Sequence, residues 1–213
     1  MKYREILLEQ LKTQPYFSKK DIYQLSEQYG LKSTTVDTYI SRSLKRKDII
    51  SMKNGLYVST DYYNKNKNDT SYSFYLANIL RTPSYVSSWT ALQYYNLTTE
   101  AIHTVTSITP KVTRSYETRA GNFNYQSIQK ELFSDFSLTK GKFNFFIASP
   151  SKALFDLLYF KTRQFRGVRF ENIKSLIEEL RIDIAEMDGD EQKNLFSMIK
   201  NYLHYGQPNP RKS

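Results

Sequence analysis

Ser33-Thr34-Thr35-Val36-Asp37-Thr38-Tyr39-Ile40-Ser41-Arg42-Ser43-Leu44-Lys45-Arg46-Lys47 places Val36, Ile40 and Leu44 four residues apart, which draws one narrow apolar stripe along a helix. At about 100° per residue, Thr34, Thr35, Thr38, Arg42 and Lys45 point away from that stripe, while Arg46 and Lys47 extend the charge toward the helix end. Ser33 is positioned to cap the start. The outer face therefore combines short hydroxyls with long cations.

Upstream, Ser18-Lys19-Lys20-Asp21 has the form of a capping box, with Ile22 and Leu25 as the inward face of the helix it opens. Tyr29-Gly30-Leu31 ends that helix, because Gly30 takes a positive φ at little cost. Before it, Tyr3, Ile6, Leu7 and Leu11 recur at helical spacing, with Pro15 as the stop. Downstream, Ile49 to Met52 and Leu56 to Val58 flank Asn54-Gly55, a strong tight-hairpin signal. Lys53 and Asn54 are expected at the tip, and Ile50, Leu56 and Val58 are expected to seal the three-helix core.

Helix, helix, short turn, helix and hairpin make a winged helix-turn-helix, in which the third helix enters the major groove of DNA. Ser33, Thr34, Thr35 and Thr38 lie where base edges are met, and Arg42 suits paired bonds to guanine. Lys45, Arg46 and Lys47, with Lys53 and Asn54 on the wing, are expected at phosphates or minor-groove edges. The first 59 residues hold 11 basic and 6 acidic side chains, half of the net +10 of the 213-residue chain. A structural module whose lysines simply face water, or a winged domain that mainly contacts protein, is the alternative reading; charge, outward hydroxyls, cap spacing and hairpin together favour DNA.

Composition excludes several alternatives. Glycine and proline total 13 residues, and hydrophobic residues make up 39%, so the chain is neither collagen-like nor low-complexity. Without cysteine there is no disulfide, thiol catalysis or thiolate metal site. His103 and His204 lie far apart with no zinc-hydrolase spacing, and the acids Asp183, Glu186, Asp188, Asp190 and Glu191 fail the calcium-loop pattern. No metal, cofactor or catalytic site is expected. No apolar stretch is long enough to cross a bilayer and the start has no secretory core, so the chain is expected to be cytoplasmic and free of membrane.

The polar stretch 60–70 is expected to be a linker or domain boundary. Beyond it, a helix begins at Ser71 and stops before Pro83, and a second covers Ser88 to Tyr95. Strands are expected at Ala101 to Thr109, Arg114 to Glu117, Asn122 to Tyr125 and Lys142 to Ala148, with Ala120-Gly121-Asn122 as a turn. Ser149-Pro150 then opens a helix; its Asp156 either projects outward or pairs with Lys152 four residues earlier. Two more helical faces follow at Ile173 to Leu180 and Leu195 to Leu203. The fold class is α+β: a winged helix-turn-helix over 1–59, a mixed helix and small-sheet domain over 71–206, and a polar tail over 207–213. Aromatics reach 15% without a sustained cation-aromatic track, so core packing or a protein interface explains them.

In this order, Lys53-Asn54-Gly55-Leu56-Tyr57-Val58, Tyr85-Val86-Ser87-Ser88-Trp89-Thr90-Ala91-Leu92 and Ala148-Ser149-Pro150-Ser151-Lys152-Ala153-Leu154-Phe155-Asp156-Leu157-Leu158 resemble the AbiEi-type antitoxins of bacterial type IV toxin-antitoxin and abortive-infection systems. The resemblance spans most of the chain. It implies a noncatalytic repressor that binds inverted repeats in its own operator and counters a nucleotidyltransferase-like toxin, with no stable toxin complex assumed. The alternative is a winged-helix regulator whose larger domain senses a ligand or self-associates. Two symmetry-related copies, or one chain binding two places in sequence, would equally read DNA half-sites.

Overall fold

A computed structural model describes residues 2–205 as a mixed α+β protein. The front comprises α1 (Lys2–Leu11), β1 (Phe17–Ser18), α2 (Lys19–Glu27), α3 (Ser33–Arg46), β2 (Ile49–Lys53) and β3 (Leu56–Ser59). The three strands form an antiparallel sheet in the order β1-β3-β2. The body continues with α4 (Thr60–Asn66), α5 (Thr70–Leu80), β4 (Tyr85–Val86), α6 (Ser88–Tyr94), β5 (Thr104–Thr109), β6 (Arg114–Thr118), β7 (Gly121–Ser127), β8 (Phe136–Thr139), β9 (Phe145–Ala148), α7 (Pro150–Lys161), α8 (Ile173–Glu179) and α9 (Gly189–Tyr205). Its six strands form one mixed sheet, β6-β7-β5-β4-β9-β8. The tail 207–213, and Gly206 before it, lie outside the described residues.

Local signals set the front helices. Ser18 Oγ accepts from the Asp21 N–H at 3.1 Å and Asp21 Oδ2 from the Ser18 N–H at 2.7 Å, the reciprocal box that opens α2. Gly30, at φ +63°, turns the chain after α2 so that the Leu31 N–H reaches Ser26 O at 3.2 Å. Substituting Ser18→Ala is expected to cost about 1 kcal/mol in urea denaturation; an unchanged midpoint would mean that β1 pairing alone holds the helix start. Two expectations are corrected. α1 stops at Leu11, ahead of Pro15, and α3 starts after Lys32 with no side-chain cap, so Ser33 is its first helical residue.

The front core holds Leu11, Phe17, Ile22, Val36, Ile40, Ile49 and Tyr57. Ile50, Met52, Leu56 and Val58 belong instead to the core of the body, on the opposite face of the hairpin sheet. The expectation that Ile50, Leu56 and Val58 seal the helices is therefore reversed. Residues alternate across a strand, and the alternation assigns Ile49 and Tyr57 inward and their neighbours outward. Both faces are apolar, so the sheet is sandwiched between the three helices and the body.

Residues 60–66 are helical rather than an extended linker. Ser59 Oγ accepts from the Tyr62 N–H at 3.5 Å, and Asn66 is buried, receiving Lys142 Nζ on Oδ1 at 2.6 Å. Tyr72 OH donates to Pro15 O at 2.7 Å, a further tie between body and front. Asp69 caps α5, which begins at Thr70, one residue ahead of the expected Ser71. The strand expected over Ala101 to Thr109 begins at Thr104, and that over Lys142 to Ala148 begins at Phe145. As anticipated, Ser149 caps α7 with Pro150 in its first turn.

Candidate nucleic-acid interface

α3 ends where Lys47 enters the left-handed region at φ 64°, its N–H reaching Leu44 O at 3.1 Å and the Asp48 N–H reaching Ser43 O at 2.9 Å. Lys45 and Arg46 in the last turn complement the carbonyl end of the helix. Val36 and Ile40 are buried beneath it with Ser43, and Leu44 is half-buried. That anchorage sets the opposite face: Ser33, Thr34, Thr38, Arg42, Lys45, Arg46 and Lys47 are exposed, and Thr35 is half-buried. Thr38 Oγ1 donates to Thr34 O at 2.9 Å, which leaves its oxygen as an acceptor. Among the described residues, the side chains of Arg42, Lys45, Arg46 and Lys47 make no ion pair or hydrogen bond.

Asp37 is the one acid of α3, and it lies on the flank turned to α2. Lys19 Nζ sits 2.8 Å from Asp37 Oδ1, and Tyr23 OH donates to the same oxygen at 2.6 Å. These bonds, reinforced by the charge of Lys19, hold the Asp37 carboxyl below its ordinary range. The only negative charge on the helix is thus occupied by its neighbour, and the cations at 42, 45, 46 and 47 remain uncompensated. Sequence reasoning overlooked this triad, which joins residues from two helices.

The hairpin departs from its expected role. Asn54 is exposed at the tip and Gly55 takes φ +76°, but Gly55 O accepts from the Lys19 N–H at 2.8 Å, so the start of α2 pins the turn. Lys53 is half-buried and donates through Nζ to Leu80 O at 2.7 Å. Its ammonium is directed into the body, away from the role given to it at a free wing tip. Thr34, Thr38, Arg42 and Lys45 share one helix face; Lys53 does not join them.

Elsewhere, three acids of 183–191 accept backbone N–H groups, two within their own turn and one from the start of α7. Asp183 accepts from the Ala185 N–H, Asp188 from the Asp190 N–H, and Glu191 from the Ser151 N–H at 2.8 Å. No group of three metal-ligating side chains occurs among the described residues. Nor is any described helix long and apolar enough to cross a membrane. The aromatic excess packs inward, as in Tyr72 against Phe143 at 4.7 Å and Tyr85 stacked on Phe136 at 4.5 Å. A cleft of about 500 Å³ between α5, α6 and the approach to β5 is bordered by Lys67, Ser73, Tyr94 and His103.

A buried polar cluster also escaped full anticipation. Lys152 Nζ lies 2.7 Å from Asp156 Oδ1, and Asp156 Oδ2 accepts from Ser87 Oγ at 2.7 Å and Tyr85 OH at 3.1 Å. Burial pushes the Asp156 carboxyl up, with Lys152, Ser87 and Tyr85 pulling the other way. The Lys–x–x–x–Asp spacing signalled the pair; its burial and its two hydroxyl partners depend on β4, a two-residue strand. Compared with known proteins, the chain matches no family model and has no significant counterpart among curated proteins.

Proposed function

We propose that the chain is a noncatalytic, operator-binding antitoxin of the AbiEi type, with a winged helix-turn-helix front whose α3 reads the major groove of duplex DNA. The observation that carries the DNA-binding part is the outer face of α3: exposed Thr34, Thr38, Arg42 and Lys45 over buried Val36 and Ile40, with the helix's only carboxylate already engaged by Lys19. Hydroxyls meet base edges, Arg42 can bond guanine in bidentate fashion, and Lys45, Arg46 and Lys47 are placed for phosphates. The toxin-directed part rests on the resemblance of the 85–92 and 148–158 segments, which meet in the fold through the Asp156 cluster.

Arg42→Ala combined with Lys45→Ala is expected to weaken binding to the chain's own promoter by about tenfold or more, with a shallower salt dependence. Both residues are exposed, so the melting temperature should hold. Unchanged affinity at matched salt would overturn the assignment. Full-length protein co-expressed with a neighbouring nucleotidyltransferase should restore growth; failure to do so would count against antitoxin function while leaving DNA binding intact. The second reading, a regulator with a ligand-sensing body, draws its support from the cleft beside Lys67 and His103.

A further inference from the structure

Four cations gather where α5 ends. Lys53 from the hairpin donates to Leu80 O at 2.7 Å, Lys111 donates to Thr82 O, and Arg81 donates through Nη2 to Val112 O. Arg114, on the edge strand β6, stands 5.9 Å from the centre of the Tyr116 ring. β2 packs against β6, which brings the hairpin's lysine to the body's three cations. Burial raises the Tyr116 hydroxyl, yet the nearby guanidiniums of Arg114 and Arg81, with the charge of Lys53, outweigh it and leave the phenol below its ordinary value. Three of the cations are thus within electrostatic reach of one oxygen.

Their partners are all neutral. The side chains of Lys53, Lys111 and Arg81 donate to backbone carbonyls, and among the described residues no carboxylate pairs with any of the four. The carbonyl end of a helix supplies only about half a negative charge. Arg81 Nε is buried without an acceptor. Buried donors ordinarily have partners, and planar guanidinium donors match oxyanions in particular. Lys111 and Arg114 are exposed, so the cluster is open to solvent on that side.

We propose that Lys53, Arg81, Lys111 and Arg114, with the Tyr116 hydroxyl, form an oxyanion site of the phosphate class at the seam between hairpin and body. The site is independent of the α3 face. Its ligand is either a free phosphate group or a phosphate of a polynucleotide backbone, since both present the same oxygens.

The test uses the full chain with inorganic phosphate as probe, against chloride at equal ionic strength, and a duplex of arbitrary sequence in parallel. Wild type should bind one of the two saturably, and Lys111→Gln with Arg114→Gln should weaken it at least tenfold while the protein stays folded. Phosphate binding lost with duplex affinity unchanged identifies a free ligand. A duplex salt dependence reduced by about two counterions, with no response to phosphate, identifies the polynucleotide. Arg42→Ala with Lys45→Ala should leave phosphate binding intact, which separates this site from α3. If the Gln variant equals wild type toward both probes, or wild type binds neither, the proposal is wrong.

Discussion

Lys152→Met is expected to destabilise the protein by about 3–5 kcal/mol, the range for removing one partner of a buried ion pair. Lys152 and Asp156 are both essentially inaccessible, and their carboxylate–ammonium contact of 2.7 Å is joined by Ser87 and Tyr85. The methionine conserves most of the aliphatic stem, which isolates the charge. Without it, the Asp156 carboxylate keeps two hydroxyl donors but no countercharge, and its already raised protonation range moves further up. A raised carboxyl pKa means that the native state holds more protons than the unfolded one, so stability falls as pH rises through that window. The penalty should therefore shrink as pH is lowered toward the ordinary carboxylate range. Removing both charges with Lys152→Met and Asp156→Leu should recover only part of the loss, because the Ser87 and Tyr85 hydroxyls then lack their acceptor, at about 1–3 kcal/mol for each unsatisfied group. Urea denaturation at two pH values decides it; a single-variant loss below about 1 kcal/mol would mean that water screens the pair.

What the sequence disclosed here was chiefly local. Ser18 with Asp21, Gly30, Asn54-Gly55 and Ser149-Pro150 act within a few residues of themselves, and each appears in the fold where its chemistry placed it. The outward face of α3 was legible for the same reason: Val36 and Ile40 define it by periodicity. Non-local decisions were not. β1 and β4 are two residues long and exist only through partners distant in sequence, Leu56 and Tyr57 for β1, Ser107, Ile108 and Ile147 for β4. The hairpin's two faces are both apolar, so periodicity could not say which one the helices take and which the body covers. Lys53 resembled a wing-tip cation until Leu80 O arrived from the body.

The sandwiched hairpin makes a strong prediction about dissecting the chain at residue 59. Ile50, Met52, Leu56 and Val58 are all under a tenth exposed and pack into the body core. Burying one such side chain contributes about 1.5–3 kcal/mol, so losing all four contacts removes an amount comparable with the whole stability of a typical domain, about 5–15 kcal/mol. A fragment of residues 60–213 should therefore melt more than about 10 °C below the full chain and bind a hydrophobic dye. Residues 1–59 should self-associate through the uncovered sheet face, and Ile50→Ser, Met52→Ser and Val58→Ser should restore their solubility, because the helix-facing Phe17, Ile49 and Tyr57 are untouched. The consequence reaches function: failure of the 60–213 fragment to protect against a toxin would report lost folding as readily as lost activity, whereas the full chain with Arg42→Ala and Lys45→Ala removes DNA contacts without exposing the seam. Should the two fragments each melt cooperatively at the temperature of the whole, the shared core would contribute nothing and the front would have to be treated as an independent domain.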